Sequence, residues 1–377
     1  MGWSEYEVSL KIIREFVNQY VRTRARDIDR GAYPRDIIRK LGELNFLAPT
    51  LPPEFGGAGA DTLTHILVVE ELARASPGVA TIMEIQSSMI AENIYHNGTK
   101  RMKEEILPKV AAGEVIVAFA LSEPCCGSDA AAIRTRAEKI GGEWVINGHK
   151  MWITNGHYAD YYLVAARTGP REARHKAITV FLLKRSNCVE TSPIEVMGVR
   201  GTGTAEVKFN NCAASDDDIV GEVNGGWKVI VDTLNVGRTA ISGVAVGIAR
   251  GAFEEALKWA RNRELFDRKL IEFQNTQFEL AEMYASIETA KTLAYYAAYL
   301  YDINSPGFLI MSHVAKLQTA RIAVDVTRRA VQIEGGFGYS KESKAEMFYR
   351  DAKILEIGEG TNEVMKYVIY KLIEKGQ

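Results

Sequence analysis

Cysteine and histidine are scarce in this sequence, which has four cysteines and six histidines among 377 residues. The cysteines form no Cys-x-x-Cys pair, and no histidine cluster lies near them. Their spacing therefore indicates neither a metal site nor a disulfide framework. We expect a chain without a metal, in a reducing, cytoplasmic setting. The four are Cys125, Cys126, Cys188 and Cys212, and the adjacent pair is interpreted as packing residues.

Excess charge and long apolar segments are also absent. Lysine and arginine number 46 and aspartate and glutamate 48, so the net charge is −2 and no nucleic acid is expected as a partner. No apolar run approaches about 18 residues, which predicts no membrane span. Residues 1–20 contain no long apolar core, so they are not interpreted as a secretory signal.

The order of periodic patterns divides the chain into three parts. Apolar residues recur at helical spacing in the first part, short β-branched segments separated by turn residues fill the second, and long helical patterns fill the third. We predict an α+β multidomain protein with an N-terminal all-α domain, a central antiparallel β-barrel-like domain and a C-terminal four-helix bundle. The predicted domains are residues 1–114, 115–222 and 223–377.

The predicted elements follow from these patterns. Helices are expected over 6–21, 62–76, 79–96 and 99–112, strands over 115–121, 143–147, 161–166, 177–183 and 205–209, and long helices over 227–263, 272–302, 306–333 and 361–375.

A glycine turn and a lone carboxylate stand out near the C-terminus. Gln332 is followed by Gly335 and Gly336, whose backbone permits close approach to a flat or phosphate-bearing ligand. Glu359 lies between two glycines, which favours a positioned base over a solvated acid.

Two loops in the β region have composition suited to a ligand. Residues 121–129 combine hydroxyls with glycine, which suits a pyrophosphate or ring edge, although an ordinary turn is the more economical interpretation. Trp152 and Thr154 are two residues apart in a strand pattern, so both would lie on one face and could cover a flat ring. A core position for Trp152 is equally compatible with the pattern.

Two arginines in the helical region have a functional and an ordinary interpretation. Arg263 is suited to binding a phosphate, but it also suits the C-terminus of a helix, where a cation complements the helix dipole. Arg238 lies beside small residues and could pair with a buried carboxylate such as Glu359 or reach a ligand; the alternative is a surface arginine.

These motifs occur together and in one order, and on them the chain resembles the acyl-CoA dehydrogenase family from Glu7 to about Tyr370. The segments that carry the resemblance are Glu123-Pro124-x-x-Gly127-Ser128-Asp129, Met151-Trp152-Ile153-Thr154-Asn155-Gly156, Arg263-x-x-Phe266 with Phe273-Gln274, Gln332-x-x-Gly335-Gly336-x-Gly338-Tyr339, Tyr349-Arg350-Asp351-Ala352-Lys353-Ile354 and Glu359-Gly360-Thr361-Asn362-Glu363.

The resemblance implies an FAD enzyme that oxidises acyl-CoA and works as a homo-oligomer, a dimer of dimers, with FAD held across a subunit interface. It assigns Ser128, Asn235, Arg238 and Gly360 to the acyl-CoA substrate. The residues that it assigns to FAD are Phe119, Leu121, Ser122, Gly127, Ser128, Trp152, Ile153, Thr154, Arg263, Phe266, Gln274, Gln332, Gly335, Gly336, Thr361 and Asn362, of which Arg263 to Gly336 would reach the FAD of a neighbouring subunit.

The chemistry implied by the resemblance is α,β-dehydrogenation of a saturated thioester to a trans-2-enoyl-CoA. Glu359 would remove the α-proton while flavin N5 accepts the β-hydrogen as hydride. The Glu359 backbone N–H and an FAD hydroxyl would bind the thioester oxygen, where charge develops. The electrons would pass to an electron-transfer flavoprotein.

The sequence departs from the family pattern at several positions. Gly358 replaces a frequent tyrosine, which would enlarge the acyl pocket for a branched or cyclic group. Gly237 occupies the position from which some relatives provide the base, so Glu359 has no competitor. Ala80 replaces the arginine of glutaryl-CoA-oxidising relatives, which disfavours a dicarboxylyl substrate. Glu84 is unusual in the helix under the acyl pocket; we expect it to face solvent, the alternative being contact with a polar acyl group.

Other functions remain open at this point. An acyl-CoA oxidase would keep the fold and use oxygen, although the additional C-terminal domain of such enzymes is missing. An enoyl-CoA reductase would run the reaction in reverse, and the sequence does not set the direction. A binding or scaffold protein without catalysis is disfavoured by the intact Glu359 and FAD segments.

Overall fold

The structure, a computed structural model, describes residues 3–376. Residues 1–2 and 377, at the outer ends of the first and last predicted domains, lie outside them. The N-terminal region is mostly helical up to Ala111, and three π-helical turns adjoin its α-helices. Its α-helices are Trp3–Phe16, Ala25–Asp29, Arg35–Glu43, Thr62–Ala73, Pro77–Glu84, Glu92–Asn97 and Leu107–Ala111, and the π-helical turns are Val17–Val21, Ile85–Ala91 and Met102–Ile106.

The central region forms one eight-stranded sheet in the order β6-β7-β3-β2-β4-β5-β8, with β1 paired to β4. Most neighbours are antiparallel, as predicted, but β4 pairs in parallel with β1 and β2. The sheet is open, so barrel-like describes it only loosely. The strands are β1 Val117–Ala120, β2 Arg136–Ile140, β3 Glu143–Ile153, β4 Tyr161–Arg167, β5 Ile178–Lys184, β6 Val189–Pro193, β7 Ala205–Ala214 and β8 Ile219–Val220.

Long helices make up the C-terminal region. Gly226–Asn262 is the longest and packs against the next two as well as against Thr62–Ala73. A two-stranded ribbon, Glu264–Leu265 with Arg268–Lys269, separates the first two. The remaining helices are Gln274–Asp302, Phe308–Glu334, Lys344–Ala352 and Asn362–Glu374. Lys344–Ala352 was not expected from the sequence.

One hydrophobic core joins the first and third regions. Ile13 and Leu41 from the N-terminal helices share it with Val244 and Met283 from the long C-terminal helices. The sheet adds a separate core around Tyr162 and Phe181. The predicted class, with helices at both ends and a sheet between them, is confirmed.

The Gly226–Asn262 helix is the single helix among residues 3–376 that is long and apolar enough to cross a membrane. Of its most apolar stretch, 72% is buried inside the protein. The core helices of soluble proteins meet the same criterion, so this helix is weak evidence for a span.

Candidate active site

The loop before the last helix places a glutamate carboxyl group in the interior. Glu359 has a left-handed backbone with φ 54°, which is costly for a residue with a side chain. Its Oε2 atom is buried and accepts no hydrogen bond from any donor among residues 3–376. No backbone carbonyl there accepts from its N–H. Strain and an unpaired buried oxygen at one residue are characteristic of functional positions.

Space for this carboxyl group comes from a helix glycine. A Cβ atom on Gly237 would lie 2.8 Å from Glu359 Oε2 and 3.2 Å from Met89 Cγ. Any side chain at position 237 would therefore displace the carboxyl group. Gly237 therefore provides the space that the Glu359 carboxyl group occupies.

Two cations hold the loop that carries Glu359. Arg238 Nε donates to the Glu359 backbone oxygen at 3.2 Å, and Lys316 Nζ donates to the Gly360 oxygen. The Arg238 guanidinium also donates to Asn235 Oδ1 at 2.9 Å and contacts His313 Nε2 at 3.0 Å. Arg238 is 7% exposed, so the surface interpretation is wrong, and it binds the carbonyl rather than the carboxylate.

Burial dominates the electrostatics of the site. It raises the pKa of Glu359 to about 7, against the lowering effect of the Lys316 and Arg238 charges. Burial also lowers the pKa of Lys316; the Glu359 charge opposes this effect and the Arg238 charge adds to it, and the resulting pKa is about 8. A carboxyl group whose pKa lies near neutrality is suited to taking a proton in one step and releasing it in another.

Glu84 lies beside this site, so the expectation that it faces solvent is wrong. Its exposed fraction is zero, and Ser88 Oγ donates to its Oε1 at 2.5 Å. Burial and the nearby Glu359 charge raise its pKa well above the ordinary value. The helical pattern of 79–96 did not reveal this, because a glutamate among apolar residues also fits an exposed helix edge.

A buried ion pair fixes the loop 121–129 to β3. Lys150 Nζ donates to Glu123 Oε1 and to the Leu121 oxygen, both at 2.9 Å, and both side chains are almost wholly buried. Arg134 N and Thr135 N also donate to the Glu123 carboxylate, at 2.6 and 2.9 Å. Burial acts to raise the pKa of Glu123, but Lys150 and these donors outweigh it and the pKa falls below its usual range.

The end of β3 differs from the predicted alternation. The register between β3 and β7 shifts between Lys150 and Ile153, and Trp152 has φ 63°. Strict alternation therefore does not determine the directions of Trp152 and Thr154. Trp152 is 57% exposed, so the core interpretation is wrong and a large ring surface is available to a ligand or a subunit.

The segments predicted to reach a second subunit lie on one exposed surface. Arg263, Gln332, Gly335 and Gly336 line a cleft of about 750 Å³ that does not include Glu359. Phe266 is 88% exposed in the adjoining ribbon. Nothing lies within 4 Å of a Cβ built on either glycine, so neither is required by crowding inside its own chain.

The other residues assigned to FAD or substrate lie next to Glu359 or in the sheet region. Thr361 caps the Asn362–Glu374 helix by accepting from Val364 N at 3.2 Å, and Asn362 donates to Glu356 Oε1 at 3.2 Å. Ser128 and Gly127 are exposed, and Ser128 does not contact Arg238 or Asn235 through any hydrogen bond. Phe119, Ser122 and Thr154 are half-buried, and Leu121 and Ile153 are buried.

Sequence reasoning did not single out Lys150, His313 or Lys316. The sequence does contain an indication for His313 and Lys316, because they are three positions apart in the Phe308–Glu334 helix, among residues that are buried. A lysine and a histidine within an apolar stripe require buried partners.

The cysteines correct another expectation, because they form two disulfides, Cys125–Cys126 and Cys188–Cys212. Cys188 immediately precedes β6, and Cys212 lies in β7, the strand that pairs with β6 in antiparallel orientation. This pairing places the two Cα atoms 5.3 Å apart. Strand pairing brings these residues together, which linear spacing does not show. The inference of a reducing setting loses this support.

Family models match all three regions of the chain. They are described as the acyl-CoA dehydrogenase N-terminal domain over residues 4–114, middle domain over 118–212 and C-terminal domain over 224–373. The chain belongs to the acyl-CoA dehydrogenase family, and it is an oxidoreductase of that family.

Curated relatives cover almost the full length. The 3-(aryl)acrylate reductase of Clostridium sporogenes is 36% identical over 97% of each chain. The short-chain specific acyl-CoA dehydrogenase of Clostridium acetobutylicum is 37% identical over 97% of each.

Solved structures agree with the fold. Butyryl-CoA dehydrogenase from Megasphaera elsdenii has a TM-score of 0.94 and 34% identity, covering 98% of this chain and 97% of its own. A chain from the structure described as the electron transferring flavoprotein of Acidaminococcus fermentans has a TM-score of 0.95 and 34% identity over 99% of each chain. A glutaryl-CoA dehydrogenase from Mycobacterium smegmatis in complex with FADH2 has a TM-score of 0.92 and 27% identity, covering 99% and 95%.

The family is FAD-dependent, and the chain offers features that fit this cofactor. Trp152 presents an exposed ring, and Gly127, Gly335 and Gly336 leave open space around their backbones. The Asn362–Glu374 helix begins two residues after Gly360, with Thr361 as its N-cap, and its N-terminus favours negative charge.

Proposed function

We propose that the protein binds FAD and catalyses α,β-dehydrogenation of a saturated acyl-CoA thioester, with Glu359 as the base. The observation that supports this most strongly is the Glu359 carboxyl group, which is buried, unpaired at Oε2 and held in a strained backbone. A structural role leaves all three features unexplained. FAD supplies the hydride acceptor when bound.

The residues around Glu359 divide the remaining tasks. Arg238 and Lys316 donate hydrogen bonds to the backbone oxygens of Glu359 and Gly360. These bonds hold the loop in the position that places the Glu359 carboxyl group inside the protein. The Glu359 N–H, which has no backbone acceptor, is available to a thioester oxygen on which charge develops. Ser128, Asn235 and Gly360 are the further residues that we assign to the CoA substrate.

The flavin site that we propose has two parts. Residues of β1, the 121–129 loop, the end of β3 and the Thr361–Asn362 turn would hold FAD in the same chain. Arg263, Phe266, Gln274 and the Gln332–Gly336 turn would reach FAD of a second copy. The exposure of Phe266 supports this arrangement, because a ring that is 88% exposed is costly unless a partner covers it. We therefore propose a homo-oligomer, a dimer of dimers.

The electron partner and the direction are also proposals. Similarity to a chain in the Acidaminococcus electron transferring flavoprotein structure supports an electron-transfer flavoprotein as acceptor. The 36% identical 3-(aryl)acrylate reductase favours a second candidate, reduction of an enoyl thioester on the same site. Incubation of oxidised enzyme with saturated acyl-CoA and of reduced enzyme with enoyl-CoA separates the two directions by flavin absorbance.

The decisive experiment is Glu359→Gln. We expect the variant to retain FAD and bind acyl-CoA, because the backbone N–H remains, and to lose at least about 1,000-fold in the rate of anaerobic flavin bleaching. Glu363→Gln, which removes an exposed carboxylate in the next helix, is the matched control and should bleach normally. Bleaching by Glu359→Gln at the wild-type rate would disprove the base assignment, and purified protein that takes up no FAD would disprove the function.

A further inference from the structure

A pair of facing carboxyl groups occupies the proposed active site. Glu84 and Glu359 lie within hydrogen-bonding reach of each other, one at the end of the Pro77–Glu84 helix and one in the loop before the last helix. The Oε2 atoms of both are buried, and neither receives a hydrogen bond from any donor in the described part of the chain. Two ionised carboxylates in that position would repel each other strongly. One proton shared by the two carboxyl groups would remove this repulsion.

The surroundings determine which carboxyl group holds the proton. Lys316 and Arg238 favour the charged form of Glu359. Among residues 3–376, no cation contributes to the pKa shift of Glu84; besides Glu359, the side chain that contributes is Ser88, whose Oγ donates to Glu84 Oε1. Since an isolated buried carboxyl group is disfavoured in its charged form, the proton belongs on Glu84.

We propose that Glu84 is a positioning residue, a neutral carboxylic acid that donates a hydrogen bond to the Glu359 carboxylate and so keeps the base ionised and oriented. This inference rests on the proposed function. It assigns an active-site task to a residue outside the motifs that identify the family.

The other titratable groups near the pair do not compete for this role. His313 contacts Arg238, and His65 lies 2.9 Å from Ser87 Oγ. Burial lowers the pKa of both imidazoles to about 4, and the Arg238 charge contributes for His313. Both are neutral above pH 5. Lys316, with a pKa of about 8, affects only the alkaline range.

The direction of the Glu84 effect follows from its hydrogen bond. Burial raises the pKa of Glu359 to about 7, and the bond with Glu84 acts to lower it. Removal of the donor therefore raises the pKa of the base, and activity at acidic pH is lost. If Glu84 were charged, its removal would instead lower the pKa of Glu359, because a repelling negative charge would disappear.

Two substitutions at one position separate these cases. Glu84→Gln keeps a donor, because its amide can still donate to Glu359, whereas Glu84→Leu fills the same space without one. The assay is the pH profile of kcat/KM, from pH 5 to 9, with an acyl-CoA that bleaches the wild-type flavin. FAD content and melting temperature are measured for every variant.

On the acidic side of the pH profile, kcat/KM falls as the base becomes protonated. We expect this acid limb to be at the same pH in Glu84→Gln as in the wild type. The limb of Glu84→Leu should move upward by about one pH unit, so that its kcat/KM at pH 6 falls about tenfold while the value at pH 9 stays near wild type. Ser88→Ala leaves the Glu84–Glu359 contact intact and should leave the limb in place.

Other outcomes overturn the inference. A downward shift in both variants shows that Glu84 is charged, and an unchanged limb in Glu84→Leu shows that it does not act on the base. Neither affects the proposed function, which fails instead if Glu359→Gln stays active. Loss of FAD by Glu84→Gln also contradicts the inference, since it would assign Glu84 to cofactor binding.

Discussion

Gly237→Ala provides a sharp test of the active-site geometry. The added Cβ would lie 2.8 Å from Glu359 Oε2, whereas unstrained contact requires about 3.5 Å. The carboxyl group must therefore move by about 0.7 Å. A misplacement of about 1 Å costs on the order of 100-fold in rate, so we expect kcat to fall about 10- to 100-fold, or about 1.4–2.7 kcal/mol.

The same substitution should not destabilise the protein, which distinguishes it from a general packing defect. Alanine is better than glycine inside a helix by up to about 1 kcal/mol, and this gain offsets the crowding. The assay pairs anaerobic stopped-flow flavin reduction with thermal unfolding. Gly243→Ala, in the same helix and facing Ile66 rather than the base, is the control and should keep its rate. A Gly237→Ala enzyme within twofold of the wild-type rate would refute the placement of the carboxyl group.

Two further predictions concern the loop and the pocket. Lys150→Met leaves Glu123 buried without its cation, so it should lower the free energy of unfolding by about 3–5 kcal/mol and weaken FAD binding. The control Lys139→Met removes an exposed ion pair and should cost under about 1 kcal/mol. Equal losses of the two variants in denaturant titrations would contradict this prediction. Gly358→Tyr should reduce flavin bleaching by branched and cyclic acyl-CoAs more than by straight-chain ones, because the added ring would occupy space that a wide acyl group needs. A Cβ at 358 meets Ile354 at 3.4 Å or more, so the first side-chain atom can be added there without a clash. An unchanged order of substrates would show that Gly358 does not border the pocket.

The sequence was sufficient to predict the fold class because the elements have strong local patterns. The Thr62–Ala73 helix is apolar and capped by Asp61, and β4 and β5 are nearly continuous β-branched and apolar runs. Boundaries shifted by a few residues, and the weakly patterned β2 and β6 were missed. Their exposed, charged residues give little periodic signal, and pairing with β3 and β7 determines them instead.

Contacts between distant segments account for what the sequence did not reveal at the candidate site. Glu359 could be singled out from its flanking glycines, but the proximity of Glu84 depends on how a helix 275 positions earlier in the chain packs against its loop. Lys316 and His313 are likewise defined by the segments that they face. Trp152 shows where the alternation rule fails, since β3 has two register shifts against β7 and the second, between Lys150 and Ile153, spans this residue.

Because the backbone of Glu359 is left-handed, thermal stability favours glycine at this position, whereas activity requires glutamate. Glycine would relieve backbone strain on the order of 1–3 kcal/mol, so Glu359→Gly should be harder to unfold than the natural chain. A library ranked by melting temperature alone would therefore favour loss of the base. Selection for turnover must maintain glutamate there against a constant thermodynamic preference for its replacement.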